Sequence, residues 1–150
     1  MKKELRVRAI ENGTVIDHIP SDLLFDVINV LKLTQIQNPV TFGCNFDSNK
    51  LGKKAIIKIW DHFLEDEDIN KLALVAPEVK INHIKDYEVD DKHTVNIPTT
   101  VEDIVKCINP KCITNCEKMM TRFDIINQKP IILKCHYCEK IVSQEDIVIK

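Results

Sequence analysis

Glycine is scarce in this chain, three in 150 residues, and none of the three sits in a closely spaced glycine loop. Enzymes that cradle phosphate with bare backbone need such loops, so that class is disfavoured. Aromatic residues make up 5%, and 21 basic side chains face 23 acidic ones for a net charge of −2. A general nucleic-acid binder would show a basic surplus and stacking rings, so a partner of that kind is not expected. There is no nucleophile elbow and no His-x-x-x-His helix. Met1-Lys2-Lys3-Glu4 leads into no apolar signal region, and no apolar run approaches membrane-spanning length. A cytoplasmic, reducing compartment with no membrane partner is the expectation, and cysteines there read as thiols rather than disulfides. Internal repeats and low-complexity segments are absent as well.

Cysteine is what the chain does have. Cys107-x4-Cys112 and Cys135-x2-Cys138 stand twenty-two residues apart, and two short loops with two thiolates each supply a closed tetrahedral site. One structural zinc per chain is the expected occupant. Ile108-Asn109-Pro110-Lys111 carries an Asn-Pro turn signal, and Cys135-His136-Tyr137-Cys138 has tight knuckle spacing. A redox role for the second pair would call for a thioredoxin-like setting, whereas here another pair waits upstream. Cys116 and His136 then read as bystanders. Cys44, in an alternating strand pattern, reads as a small buried hydrophobe.

A core of ordinary size fits 150 residues, and a segment of about 50 residues at the C-terminus seldom folds without a metal. Leu5–Ile10 alternates like a strand, Glu11-Asn12-Gly13 turns, and Thr14–Ile19 is extended again. A helix follows Pro20-Ser21, with Leu24, Val27, Ile28 and Leu31 on one stripe. Val40–Phe46 and Lys53–Trp60 pair around a turn at 47–52. Glu65-Asp66-Glu67-Asp68 suits a helix N-terminus, and Pro77 ends that helix. Val79–Ile84, Tyr87–Val89 and His93–Ile97 read as three further extended segments. The order predicts an α+β chain: an N-terminal ferredoxin-like sandwich, then a small all-β zinc-binding domain. Pro98-Thr99-Thr100 is the expected linker, giving domains 1–98 and 99–150. Ile104–Lys106 and Ile131–Lys134 should lead into the cysteine loops, with 141–149 closing the small domain.

In Lys54-Ala55-Ile56-Ile57-Lys58-Ile59 the two-residue period sends Ala55, Ile57 and Ile59 to the core and Lys54, Ile56 and Lys58 to the other face. The two ammonium groups lie about 13 Å apart along the strand, beside an aliphatic patch. That pattern could hold phosphates next to an apolar wall, but the residues alone favour the plainer reading of a solvated strand face with lysines for solubility. Asp17-His18 is the one acid/base neighbour pair. Adjacent strand residues point to opposite faces, which disfavours a mutually oriented catalytic pair.

Gly13-Thr14-Val15-Ile16-Asp17-His18-Ile19-Pro20 closely resembles the signature of aspartate carbamoyltransferase regulatory chains. The likeness continues through Thr41-x-Gly43-x-Asn45, Ser48, Gly52-Lys53-Lys54, Ile57-Lys58-Ile59, Leu72-Ala73-Leu74, Ala76-Pro77, Asn82-x-Ile84 and Tyr87-Glu88-Val89. It closes on the four cysteines with Glu139-Lys140 behind them, covering roughly residues 5 to 148. The resemblance implies a non-catalytic subunit that binds CTP and UTP as inhibitors and ATP as activator. It also implies regulatory-chain homodimers, and a zinc domain that grips the catalytic chain, itself a trimer, at the first committed step of pyrimidine biosynthesis. By matching motif, the nucleotide pocket would use Val7, Ala9, Ile10, Val15, Asp17, His18, Lys54, Ile56, Lys58, Asn82, Ile84, Tyr87, Val89 and Lys92. Lys54, Lys58 and Lys92 become triphosphate partners, and Asp17 a hydrogen-bond acceptor for base or ribose. Asn109, Lys111, Glu139 and Lys140, in or beside the ligand loops, are the implied contacts to the catalytic chain. Arg8, Cys44 and Trp60 depart from the family's usual residues. Two other readings stay in view: a zinc-ribbon nucleic-acid adaptor, which would need a basic stripe, and a small enzyme, which would need a nucleophile and base.

Overall fold

A computed structural model describes residues 9–150. The predicted strand at Leu5–Ile10 lies mostly outside them, and Ala9 and Ile10 themselves belong to neither helix nor strand. The first half runs β1 (Gly13–Pro20), a single 3-10 turn, α1 (Leu24–Val30), β2 (Val40–Ser48), β3 (Gly52–Trp60), α2 (Asp66–Val75), β4 (Lys80–Lys85) and β5 (Glu88–Thr94). These strands form one antiparallel sheet in the order β2-β3-β1-β4-β5. That is the split β-α-β arrangement, extended by β5 at one edge.

Local chemistry sets the helix ends. Glu65 and Asp68 close a reciprocal capping box at the start of α2, and Asp66 and Glu67 add two further carboxylates to its first turn, where the dipole is positive. Leu24, Val27 and Ile28 of α1 are buried with Leu72 and Ala73 of α2 against Ile16, Ile19, Ala55, Ile57, Ile59 and Ile81 of the sheet. Each fully buried Leu or Ile contributes about 1.5–3 kcal/mol, so this one-sided layer fixes which face of the sheet is core. Thr14, fully buried on that side, satisfies its hydroxyl by donating to the His62 carbonyl at 2.7 Å.

The second half runs β6 (Thr100–Glu102), β7 (Val105–Lys106), α3 (Ile113–Cys116), β8 (Arg122–Gln128), β9 (Ile131–Cys135), β10 (Ile141–Ser143) and β11 (Val148–Ile149). Four strands pair as β10-β9-β8-β6, and β11 pairs with β7. Phe123, Ile131, Leu133, Cys135 and Val142 form its core, and Leu74 of α2 belongs to this second cluster, tying the halves together. Thr121 donates to the Val105 carbonyl at 2.6 Å from a buried position.

Several expectations change. Tyr87–Val89 and His93–Ile97 are not two strands: β5 is continuous from Glu88 to Thr94 because β4 pairs with it along its whole length, from Lys85↔Glu88 to Lys80↔Thr94. Tyr87 sits in the preceding turn at φ 66°. Thr100 opens β6 and is not linker. Cys44 is exposed. A register shift between Gly43 and Phe46 and a left-handed Asn45 break the alternation that would have buried it.

Candidate functional site: a four-cysteine centre and a lysine-bearing sheet face

The C-terminal loops bring Cys107, Cys112, Cys135 and Cys138 together with all four Sγ atoms within 4.8 Å of one another. Cys107 and Cys138 lie 3.6 Å apart, and Cys112 and Cys135 3.8 Å. A tetrahedron with Zn–S of about 2.3 Å has edges of about 3.8 Å, so the four sulfurs are already spaced for zinc. Three of them are buried, and Cys138 is half-buried. Burial pushes the Cys107 thiol up to about 12 and raises Cys135 too. At Cys138 burial acts the same way, but hydrogen bonds from the Lys140 backbone and the Asn109 side chain outweigh it and bring the thiol down to about 7. A dication resolves this conflict by replacing the protons of all four sulfurs.

The supporting loops are built for the purpose. Thr114 donates to Cys112 Sγ at 3.2 Å, and Asn115 Nδ2 donates to the carbonyls of Cys107 and Asn109 at 2.9 and 2.7 Å. In the knuckle, the Glu139 N–H donates to Cys135 and the Cys135 N–H to Lys140, both at 3.0 Å, with Glu139 left-handed at φ 63°. Such second-layer bonds fix ligand orientation. Cys116 is exposed, 4.0 Å from the Pro110 carbonyl, and His136 stacks on Tyr137 at 5.1 Å. Neither belongs to the cluster. Lys111, Glu139 and Lys140 are exposed and Asn109 is half-buried around it. Sequence reading missed the apolar surface between them: Ile108, Ile113 and Tyr137 are 37%, 47% and 43% exposed.

The second candidate lies on the side of the first sheet away from the helices. Val15 of β1 pairs with both Lys58 of β3 and Asn82 of β4, and Asn82 pairs with Lys92 of β5. One rung across four strands thus places Lys58, Val15, Asn82 and Lys92 side by side. Directly paired residues share a face. Lys54 and Ile56 stand beside Lys58, half-buried, while Ala55, Ile57 and Ile59 are fully buried on the core side. Ile84 pairs with Val89 one rung further along, Ile84 buried and Val89 exposed. Tyr87 is exposed in its turn, and its N–H donates to the Glu11 carbonyl at 2.9 Å, which brings the segment of Ala9 and Ile10 to that end. Val7 lies outside the described residues.

Asp17 and His18 do not alternate simply. A bulge between Ile16 and Ile19 and a left-handed His18 turn them together, and the His18 N–H donates to Asp17 Oδ1 at 2.7 Å. Lys54 Nζ stands 3.0 Å from the same carboxylate. The Nδ1 of His18 is buried without a hydrogen-bond partner among the described residues. Burial lowers the Lys58 pKa, with Asp17 opposing the shift. Its ammonium is therefore held at a desolvation cost, which an anion would relieve. A cleft of about 930 Å³ lies elsewhere, lined by α1, the end of α2 and residues of the 130–150 segment. It holds none of these residues.

The family model of the aspartate carbamoyltransferase regulatory chain, allosteric domain, matches residues 5–96, and that of the same chain's metal binding domain matches residues 99–148. The aspartate carbamoyltransferase regulatory chain of Parabacteroides distasonis is 52% identical over 149 residues, spanning 99% of this chain and 97% of the relative. That of Bacteroides fragilis is 54% identical over 148 residues, with the same coverage. The likeness reaches an archaeal relative, the regulatory chain of Pyrococcus abyssi, 46% identical over 147 residues and 97% of each chain. With the cysteine geometry, these matches make the C-terminal centre a structural zinc site and the chain itself a non-catalytic subunit. The chain belongs to the family of aspartate carbamoyltransferase regulatory chains.

Proposed function

We propose that this chain binds CTP, UTP and ATP on the lysine-bearing sheet face and passes their effect to the catalytic chain through the zinc domain. It would thereby control the first committed step of pyrimidine biosynthesis in the cytoplasm. Residues 1–98 form the allosteric domain in this reading, and residues 99–150 the domain that grips catalytic trimers. The observation that carries it is the rung of Lys58, Val15, Asn82 and Lys92, flanked by Lys54 and Asp17. Two or three ammonium groups for phosphates, an apolar strip for a base and one acceptor for a sugar or base edge match a nucleoside triphosphate. The buried His18 Nδ1, without a hydrogen-bond partner among the described residues, adds a group that a ligand would satisfy.

Partner contact is assigned to Asn109, Lys111, Glu139 and Lys140 together with Ile108, Ile113 and Tyr137. An apolar centre with a charged rim, held rigid by metal, is what a stable interface needs. Exposed Phe25 and Phe42, packed edge-to-face at 6.1 Å beside edge strand β2, offer the surface for a regulatory-chain homodimer. Nucleotides are bound and not hydrolysed, since among the described residues the face brings no carboxylate pair placed for magnesium.

Calorimetry of CTP binding tests the site. Lys58→Ala should weaken affinity roughly ten- to a hundredfold, the worth of a charge-assisted hydrogen bond. Fold and assembly should be unchanged, because Lys58 lies on the sheet face away from the core and outside the zinc domain. Equal CTP affinity in wild type and variant would discard the face.

A further inference from the structure

A second cluster with metal-binding chemistry lies on the opposite side of the same sheet and has no part in the sites above. In β4 and β5, His83 pairs with Asp91 and Ile81 with His93, so the two histidines are diagonal neighbours on the helix-covered side. Their rings are 4.8 Å apart, and His93 Nε2 stands 2.9 Å from Asp91 Oδ2. One ring nitrogen from each histidine and one Asp91 carboxylate oxygen all lie within 4.8 Å. Phe63 closes one side with its ring 5.3 Å from His83.

The decisive detail is His83 Nε2, which is buried and has no hydrogen-bond partner among the described residues. Buried polar atoms in folded proteins are nearly always satisfied, so an orphan on one of three clustered potential ligands calls for an occupant. A hydrogen-bonded histidine stack alone would account for His93 and Asp91 and leave His83 unexplained. Charge nearby favours a cation: Asp90 and Asp91 supply two carboxylates against Lys85, which is already 3.5 Å from Asp90 and 5.9 Å from the centre of the Phe63 ring. Burial, followed by His93, lowers the His83 pKa, which keeps the imidazole in its metal-binding neutral form.

We propose that His83, Asp91 and His93 form a second metal site, which takes a borderline divalent cation such as zinc or nickel. Two imidazoles and one carboxylate are the donor set those ions prefer. Three protein ligands leave a fourth position open to water, so this ion exchanges, unlike the one enclosed by four thiolates. Its physical effect is to cross-link β4 to β5, the edge strand of the sheet.

Native mass spectrometry of the full, zinc-loaded chain under micromolar free zinc or nickel tests this directly. Wild type should carry a second ion, His93→Gln should lose it, and Asp91→Asn should weaken it roughly tenfold or more. Hydrogen exchange in β5 should slow on adding the metal to wild type and stay unchanged in His93→Gln. The proposal is overturned if wild type stops at one ion, or if His93→Gln, folded by circular dichroism, keeps the second.

Discussion

Replacing Cys135 by Ser should unfold residues 99–150, release the zinc and abolish assembly with catalytic trimers. Mercurial treatment of the wild type should do the same. Binding energies of structural zinc are about 10–16 kcal/mol near neutral pH, more than a domain of this size holds in its apolar core. Cys135 is fully buried and also belongs to that core, so the loss has no local remedy. Protons compete for the same sulfurs, and with burial holding the Cys107 thiol at about 12, zinc affinity should rise with pH across the neutral range. Hydrogen exchange should show protection vanishing from β8 and β9 while β1, β3 and β4 keep theirs. One zinc retained in Cys138→Ser would refute the four-ligand assignment.

The second large effect is expected at Gly13. Its φ of 142° suits glycine, and an added Cβ would meet the Ile59 carbonyl oxygen at 2.0 Å and the Asp61 nitrogen at 3.1 Å. Both are backbone atoms at the central β1–β3 pairing or beside it, so nothing flexible can yield. Gly13→Ala should destabilise the first domain by about 3 kcal/mol or more, lowering its melting temperature by roughly 12–24 °C. Gly52→Ala is the control: φ is 77° but nothing lies within 4 Å, so only backbone strain of about 1–2 kcal/mol applies. A Gly13→Ala protein no less stable than Gly52→Ala would contradict the packing described for β1.

Why some of this was legible from residues alone follows from what each signal reports. The cysteine spacing specifies a site almost without context, because zinc dictates ligand number and distance. Period-two and period-3.6 patterns recovered β1, β2, β3, α1 and α2, whose apolar faces meet in one core. Alternation failed where the backbone departs from it. The bulges at 16–19 in β1 and 43–46 in β2 break the alternation at Asp17-His18 and leave Cys44 in solvent. The strand β8 escaped notice, although Phe123 and Ile125 alternate, because Asp124, Asn127 and Gln128 dilute the pattern. The His83, Asp91 and His93 cluster was invisible for a different reason. Its members come together through the register of two strands, which no local spacing encodes.

In the proposed function, a ligand on the first domain governs a partner held by the second. Its most direct test is the aspartate saturation curve of the assembled enzyme, measured with and without CTP or ATP. For wild type the curve should shift by a coupling of about 1–3 kcal/mol, Lys58→Ala assemblies should need roughly ten- to a hundredfold more nucleotide for the same shift, and free catalytic trimers should not respond. A curve that the same subsaturating CTP moves equally in wild type and Lys58→Ala, or fails to move in wild type despite bound nucleotide, would contradict it.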